Sequence, residues 1–190
     1  MAQKLHVIVG STRPGRVGPS IAKWFHEAAK AHGAFDAELV DIADFKLPVL
    51  DEPEHPAKKA YTKDHTKAWS AKINEADAYV FVTPEYNYFT SPALVNALDF
   101  LVHEWKYKPA GIVSYGGVSG GLRAAQSLKG LMTSLRIMPI PEGVAIPNFF
   151  EHIDKASGAF KSNDLMNASV KTMLDELSKW STALKSMRAA

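Results

Sequence analysis

Short apolar runs alternate along this chain with longer stretches in which apolar residues return every three to four positions. That alternation predicts strands separated by helices. Leu5 to Val9 is apolar in four of five positions, stops at Gly10 and reads as a buried strand. Ile21, Trp24, Phe25, Ala28 and Ala29 share one face of a first helix, which Gly33 ends. Ala37 to Ile42 reads as a second strand, a helix carrying Trp69 and Ile73 follows, and Ala78 to Val82 is a third strand closed by Thr83-Pro84. The pattern repeats. Leu94, Val95, Leu98, Leu101 and Val102 mark a helix face, Ala110 to Val113 a strand, and Ala125, Leu128, Met132 and Leu135 another helix face. Met138 to Ile146 holds a fifth strand, and Pro139 and Pro141 put it at a sheet edge because proline donates no ladder hydrogen bond. A last helix, about Asn163 to Met187, turns Met166, Val170, Met173, Leu174, Leu177 and Leu184 to one side.

Five strands alternating with five helices predict one α/β domain over residues 1–190, a doubly wound parallel sheet with helices on both faces and right-handed crossovers. The segment from Ala43 to about Lys63 holds Pro48, Pro53 and Pro56 and is long enough to predict a functional loop or flap. Ligands of such sheets bind at the carboxyl ends of the strands, where strand order reverses. That rule selects the loops after strands one, three and four.

Loop one, Gly10 to Ser20, leads into a helix N-terminus, where unpaired amides and the helix dipole attract an anion. Ser11, Thr12 and Ser20 add hydroxyls, and Arg13 and Arg16 add guanidinium forks suited to phosphate. Gly10 and Gly15 have the spacing of a nucleoside-triphosphate loop, but Arg16-Val17 stands where the Lys-Ser/Thr pair would be. The G-x-G-x-x-G dinucleotide pattern is also missing, so a monophosphate fits better; Asp41, placed like a ribose-binding acid, is weak evidence alone. Loop three, Thr83 to Pro92, sets Tyr86, Tyr88 and Phe89 among polar residues, with flat faces for a planar ring and Asn87 for its heteroatoms. Loop four, Ser114 to Leu122, has glycine at 116, 117, 120 and 121, which lets backbone approach a flat ligand.

Composition narrows the classes. A net charge of +2 with no basic run gives nucleic acid nothing to bind. Cysteine is absent, which removes disulfides, thiolate metal sites and cysteine nucleophiles and fits a cytoplasmic protein. The N-terminal apolar run is too short for a signal peptide, and no segment approaches the roughly 20 apolar residues of a membrane span. The seven histidines show no metal-ligand spacing, and His6 reads as a core residue with one bonded nitrogen.

Several segments resemble the NAD(P)H-dependent FMN reductases, the flavodoxin-like group that includes quinone and azo-dye reductases. They are Gly10-Ser11-x-Arg13, Asp41-x-x-Asp44-Phe-x-Leu-Pro-x-Leu-Asp51, Thr83-Pro-Glu-Tyr-Asn87, Pro92 to Asp99 and Ser114-Tyr-Gly-Gly117. The resemblance implies a flavodoxin-type sheet of order 2-1-3-4-5 with bound FMN. Ser11 and Arg13 would hold the phosphate, helped by Arg16 and Ser20. Pro84, Glu85, Tyr86 and Asn87 would border the ring and ribityl chain, and Ser114, Tyr115, Gly116 and Gly117 its pyrimidine edge. It implies a ping-pong exchange from NADPH or NADH through the flavin to a quinone, flavin, azo compound or similar acceptor, with no catalytic side chain. It also implies a homodimer or homotetramer with each flavin near a subunit boundary; Trp105, Lys106 and Tyr107, after helix three, are candidates for that boundary or equally an ordinary helix end. Val95 departs from the family's usual lysine. Two other readings stay open: an electron carrier without its own nicotinamide site, and a serine hydrolase using Ser119 of Gly117-Val-Ser-Gly-Gly121, with His152 and Glu142 or Glu151.

Overall fold

The computed structural model describes residues 3–188. Strands β1 (Gln3–Val9), β2 (Phe35–Asp41), β3 (Ala78–Pro84), β4 (Pro109–Tyr115) and β5 (Met138–Ile146) form one sheet in the order β2-β1-β3-β4-β5. Every neighbouring pair is parallel. Helices α1 (Gly18–His32), α2 (Asp64–Asn74), α3 (Pro92–Asp99), α4 (Leu122–Ser134) and α5 (Asp164–Arg188) connect and cover the strands.

The pleat of β1 sorts the core into two layers. Leu5, Val7 and Val9 point to the face where Ile21, Phe25 and Ala29 of α1 meet Met173, Leu174 and Leu177 of α5. Ile8 points to the opposite face, with Tyr79, Phe81, Trp69 of α2, Leu94 and Leu98 of α3, and Leu128 and Met132 of α4. The chain steps from β1 outward to β2 and then back across to β3, so the switch point opens between β1 and β3. β5 sits at the sheet edge, as its prolines predict.

Two sequence expectations change. Helix α3 stops at Asp99, so Leu101 and Val102 lie beyond it. Its last carbonyls are taken by indoles: Trp69 Nε1 donates to Ala97 O at 2.8 Å and Trp105 Nε1 to Leu98 O at 3.1 Å. Trp105 is therefore fully buried core and offers nothing to a subunit boundary. The segment between β2 and α2 is pinned along its length, with single 3₁₀ turns at Ile42–Phe45 and Pro56–Lys58. Asn96 Nδ2 donates to Pro48 O at 2.6 Å, its Oδ1 accepts from Leu50 N at 2.9 Å, and Tyr61 Oη donates to the buried Glu104 at 3.2 Å.

Candidate functional site

Loop one leaves β1 with Ser11 already buried; its hydroxyl shares a hydrogen bond of 2.9 Å with Tyr86 Oη from loop three. Arg16 grips the end of β2. Its Nη1 and Nη2 donate to Asp41 Oδ1 and Oδ2 at 2.8 and 2.7 Å, and Nη1 also donates to Ser11 O. Asp41 accepts a further bond from Ala43 N at 3.0 Å. Both partners of this pair are mostly shielded from water, where a bidentate contact fixes geometry. Arg16 therefore reaches the site with its fork occupied. Arg13 differs: it is exposed, and among the described residues its guanidinium has no ion pair or hydrogen bond. The amides of Thr12, Gly15 and Val17 likewise have no partner among the described residues. Ser20 faces elsewhere: its hydroxyl donates to Gly158 O at 2.9 Å and accepts from Phe160 N at 2.8 Å.

Loop three is a tight hairpin. Tyr86 and Phe89 exchange both backbone bonds, and the two residues between them, Asn87 and Tyr88, have φ of 51° and 68°. A two-residue turn with both φ positive matches strand twist, but a tyrosine there is strained by about 1 kcal/mol or more. The buried hydroxyls of Thr83 and Thr90 close its base at 2.8 Å. Glu85 ties loop three to loop four. Its Oε2 accepts from Ser119 Oγ at 3.0 Å and Arg123 N at 3.1 Å, and its Oε1 from Arg123 Nη1 at 2.7 Å. Burial works to raise the Glu85 carboxyl, the bonds from Arg123 and Ser119 outweigh it, and the group sits below the ordinary carboxylate value.

Loop four folds back on β4. Gly120 and Gly121 take φ of 61° and 80°, and a Cβ on Gly121 would stand 2.7 Å from Tyr115 N, so only glycine fits. Ser114 is buried and its hydroxyl donates to Gly120 O at 2.9 Å, which makes it part of the turn. The Gly116 amide is bonded to Ile146 O at 3.2 Å, whereas the Gly117 amide has no partner among the described residues and a Cβ there would meet nothing within 4 Å. Tyr115 lies beneath the first turn of α1, with its hydroxyl 2.9 Å from where a Gly18 Cβ would be. Burial pushes that hydroxyl up, so it stays protonated.

These pieces converge on one cleft of about 100 Å³, walled by Arg13, Arg16 and Val17, by Pro84, Glu85 and Tyr86, by Tyr115, Gly116 and Gly117, and by Phe149. Ser11, Ser20, Asn87 and Ser114 do not line it. Phe149 was missed by the sequence reading, although it follows β5 at the same sheet end; its ring stands edge-on to Tyr115 at 5.5 Å.

A serine hydrolase reading fails on contacts. Ser119 donates to Glu85, His152 Nδ1 is bonded to Lys161 O at 3.1 Å, and among the described residues no histidine pairs with a serine. His6 also departs from expectation, because among the described residues neither ring nitrogen has a hydrogen-bond partner. Its Nε2 lies 3.5 Å from Glu38 and 4.0 Å from Glu75. Lys4 and Lys72 compete for those carboxylates, with contacts of 2.9 to 3.4 Å. The three acceptor atoms have metal-ligand spacing, but the two ammonium groups already neutralise the carboxylates.

The sequence matches the NADPH-dependent FMN reductase family over residues 3–151. The chain belongs to this family. It is 45% identical over 148 residues to the NAD(P)H-dependent FMN reductase C4B3.06c of Schizosaccharomyces pombe, covering 76% of this chain and 74% of that one. It is 36% identical over 154 residues to LOT6 of Saccharomyces cerevisiae, with 75% and 80% covered. A Staphylococcus saprophyticus FMN-dependent NADPH-azoreductase is 30% identical over 142 residues, with 74% and 72% covered. The flavoenzyme FerB of Paracoccus denitrificans shares the fold, with a TM-score of 0.75 at 21% identity over 96% of this chain and 98% of that one.

The donor set of this FMN reductase fits its cofactor. An unpaired arginine and free amides at the α1 end suit a phosphate. Tyr86, Tyr115 and Phe149 offer flat walls, and the open backbone at Gly117 leaves room for a ring edge.

Proposed function

We propose that this FMN reductase seats the FMN phosphate on Arg13 and the loop-one amides, and the ring against loops three and four. The observation that carries this reading is the union of one uncommitted arginine, aromatic walls and an open glycine amide in a single cleft at the strand switch point. When bound, FMN supplies two-electron exchange between NAD(P)H and an acceptor. The chain's own residues bind, orient and polarise. Arg16 holds loop one in shape through Asp41 rather than touching the phosphate. Glu85 holds loop three to α4 and has no free oxygen for acid–base work. The Gly117 amide, open and without a partner among the described residues, would be a donor for the ring edge. No side chain need give or take a proton, which leaves acceptor choice to shape and suits flat acceptors such as quinones and azo compounds. Purified protein is expected to show two flavin bands between 300 and 550 nm that bleach when NADPH is added without oxygen. Bands that persist would turn the reading to a carrier reduced by another protein, and a colourless protein that takes up no FMN would end it.

We further infer a homodimer or homotetramer. Phe89, Val118 and Phe150 are each at least half exposed beside the cleft, an apolar surface that a second copy would cover. Light scattering at micromolar concentration is expected to give a mass two or four times that of the 20.8 kDa chain, and a monomer would overturn this. No helix among the described residues is long and apolar enough to cross a membrane. The lack of cysteine supports a cytoplasmic placement, which fractionation of the native host would check.

A further inference from the structure

Arg123 stands beside the cleft, where its tie to Glu85 of loop three uses only part of its guanidinium. It is the second residue of α4, one after Leu122, and its side chain is 51% exposed. Two contacts fix it. Nη1 donates to Glu85 Oε1 at 2.7 Å, and the guanidinium lies over the Tyr88 ring with Cζ 4.1 Å from the centroid. Glu85 lines the cleft, so Arg123 is one hydrogen bond from its wall.

The ring beneath Arg123 is held by strain. Tyr88 keeps a left-handed backbone that a glycine would adopt without penalty. The pair of exchanged bonds between Tyr86 and Phe89 and the buried Thr83–Thr90 contact enforce it. Strain retained at a site mouth points to use, and its effect here is to turn a 69% exposed ring into a support for one guanidinium. An arginine stacked on one face and tethered by one nitrogen is already ordered, so a ligand meets little entropic penalty in binding it. Its Nη2 and Nε donors have no partner among the described residues. They form a free edge shaped for two phosphate oxygens.

Of the three arginines around the cleft, Arg16 is committed to Asp41 and Arg13 lies with the free amides of loop one. Arg123 is the remaining guanidinium, tied to the cleft wall through Glu85. We propose that Arg123 is the phosphate contact for the nicotinamide nucleotide. The inference rests on the NAD(P)H-dependent reductase reading. The shared chemistry is a phosphoryl group, which the nucleotide carries both in its diphosphate bridge and, in NADPH, on the 2′ position.

The test uses FMN-loaded protein, wild type against Arg123→Gln and Arg123→Lys, with flavin content and spectrum recorded for each. Anaerobic stopped-flow reduction is followed with NADPH, NADH and reduced nicotinamide riboside, which has no phosphate. Calorimetric titration with adenosine 2′,5′-bisphosphate and with ADP gives a binding readout independent of turnover. The expected result for Arg123→Gln is a roughly 10- to 100-fold rise in the half-saturating NADPH concentration with the limiting rate little changed, the effect of losing a charge-assisted contact. The riboside is expected to react as in wild type, and Arg123→Lys to recover part of the loss. A loss confined to NADPH and the bisphosphate would assign the 2′-phosphate; one shared with NADH and ADP would assign the bridge. Equal losses on all three reductants would mean that Arg123 only shapes the flavin site, and no loss on any would mean it contacts nothing; either overturns the proposal. Failure of wild type with every reductant would instead sink the reductase reading itself.

Discussion

Arg13→Ala is expected to purify nearly colourless and to bind FMN roughly 10- to 100-fold more weakly, the loss that follows removal of a charge-assisted phosphate contact. The physical reason is that Arg13 is exposed and without a protein partner, so its charge is available to a ligand and its removal leaves nothing buried and unpaired. Apoprotein stability should therefore stay within about 0.5 kcal/mol of wild type, as for an exposed side chain without structural contacts. Quenching of FMN fluorescence on titration gives the affinity, and urea unfolding of the apoprotein gives the stability. Undiminished FMN affinity in the variant would move the phosphate away from loop one. Arg16→Ala should behave differently and lose stability too, because it strands Asp41 and releases the Ser11 carbonyl.

The second large effect is on acid stability. His6 is fully buried on β1, and burial lowers its pKa from 6.5 to about 4, with Glu38 pulling the other way. It is faced by Glu38 from β2, by Lys72 of α2 and the following Glu75, by Tyr79 of β3 and by Lys4 of its own strand. Above pH 6.5 the ring is neutral in both folded and unfolded chains and contributes no pH dependence. Between pH 6.5 and about 4 the unfolded chain takes up a proton that the folded chain refuses, so stability falls as pH drops and levels off below about 4. The full drop is on the order of 3 kcal/mol at 1.36 kcal/mol per pKa unit. Urea unfolding at a series of pH values from 4 to 8 should show this fall in wild type and a much flatter line in His6→Val. Parallel lines for the two proteins would assign the acid lability to other groups.

The fold was legible because each element carried its own period. The short apolar runs of β1, β3 and β4, too brief for helices, read as strands buried on both faces. The paired prolines of β5 could only sit at an edge. The site was legible in its location, since that follows from strand ends and topology. It was less legible in its assignments, since a polar side chain's partner comes from a distant segment. Arg16 looks as free as Arg13 in the sequence until Asp41 is brought beside it, 25 residues away. Ser20 looks like a phosphate ligand until the chain returns 140 residues later to occupy its hydroxyl. Trp105 resembled a surface aromatic because its role, donating to the Leu98 carbonyl in the last turn of α3, depends on where the helix stops. His6 shows the converse: its partners lie nearby but are claimed more strongly by Lys4 and Lys72.

The cleft draws its walls from residues 13 to 17, 84 to 86, 115 to 117 and 149, four stretches that only the completed sheet brings together. An unfolded chain therefore has no affinity for the cofactor to speak of, and occupancy becomes a clamp on the native state: about 2.7 kcal/mol when free FMN stands a hundredfold above its dissociation constant. In a cell short of riboflavin the same polypeptide would be a softer protein, unfolding more often and surviving proteolysis for less time. The amount of enzyme would then follow the vitamin supply with no regulator needed to sense it.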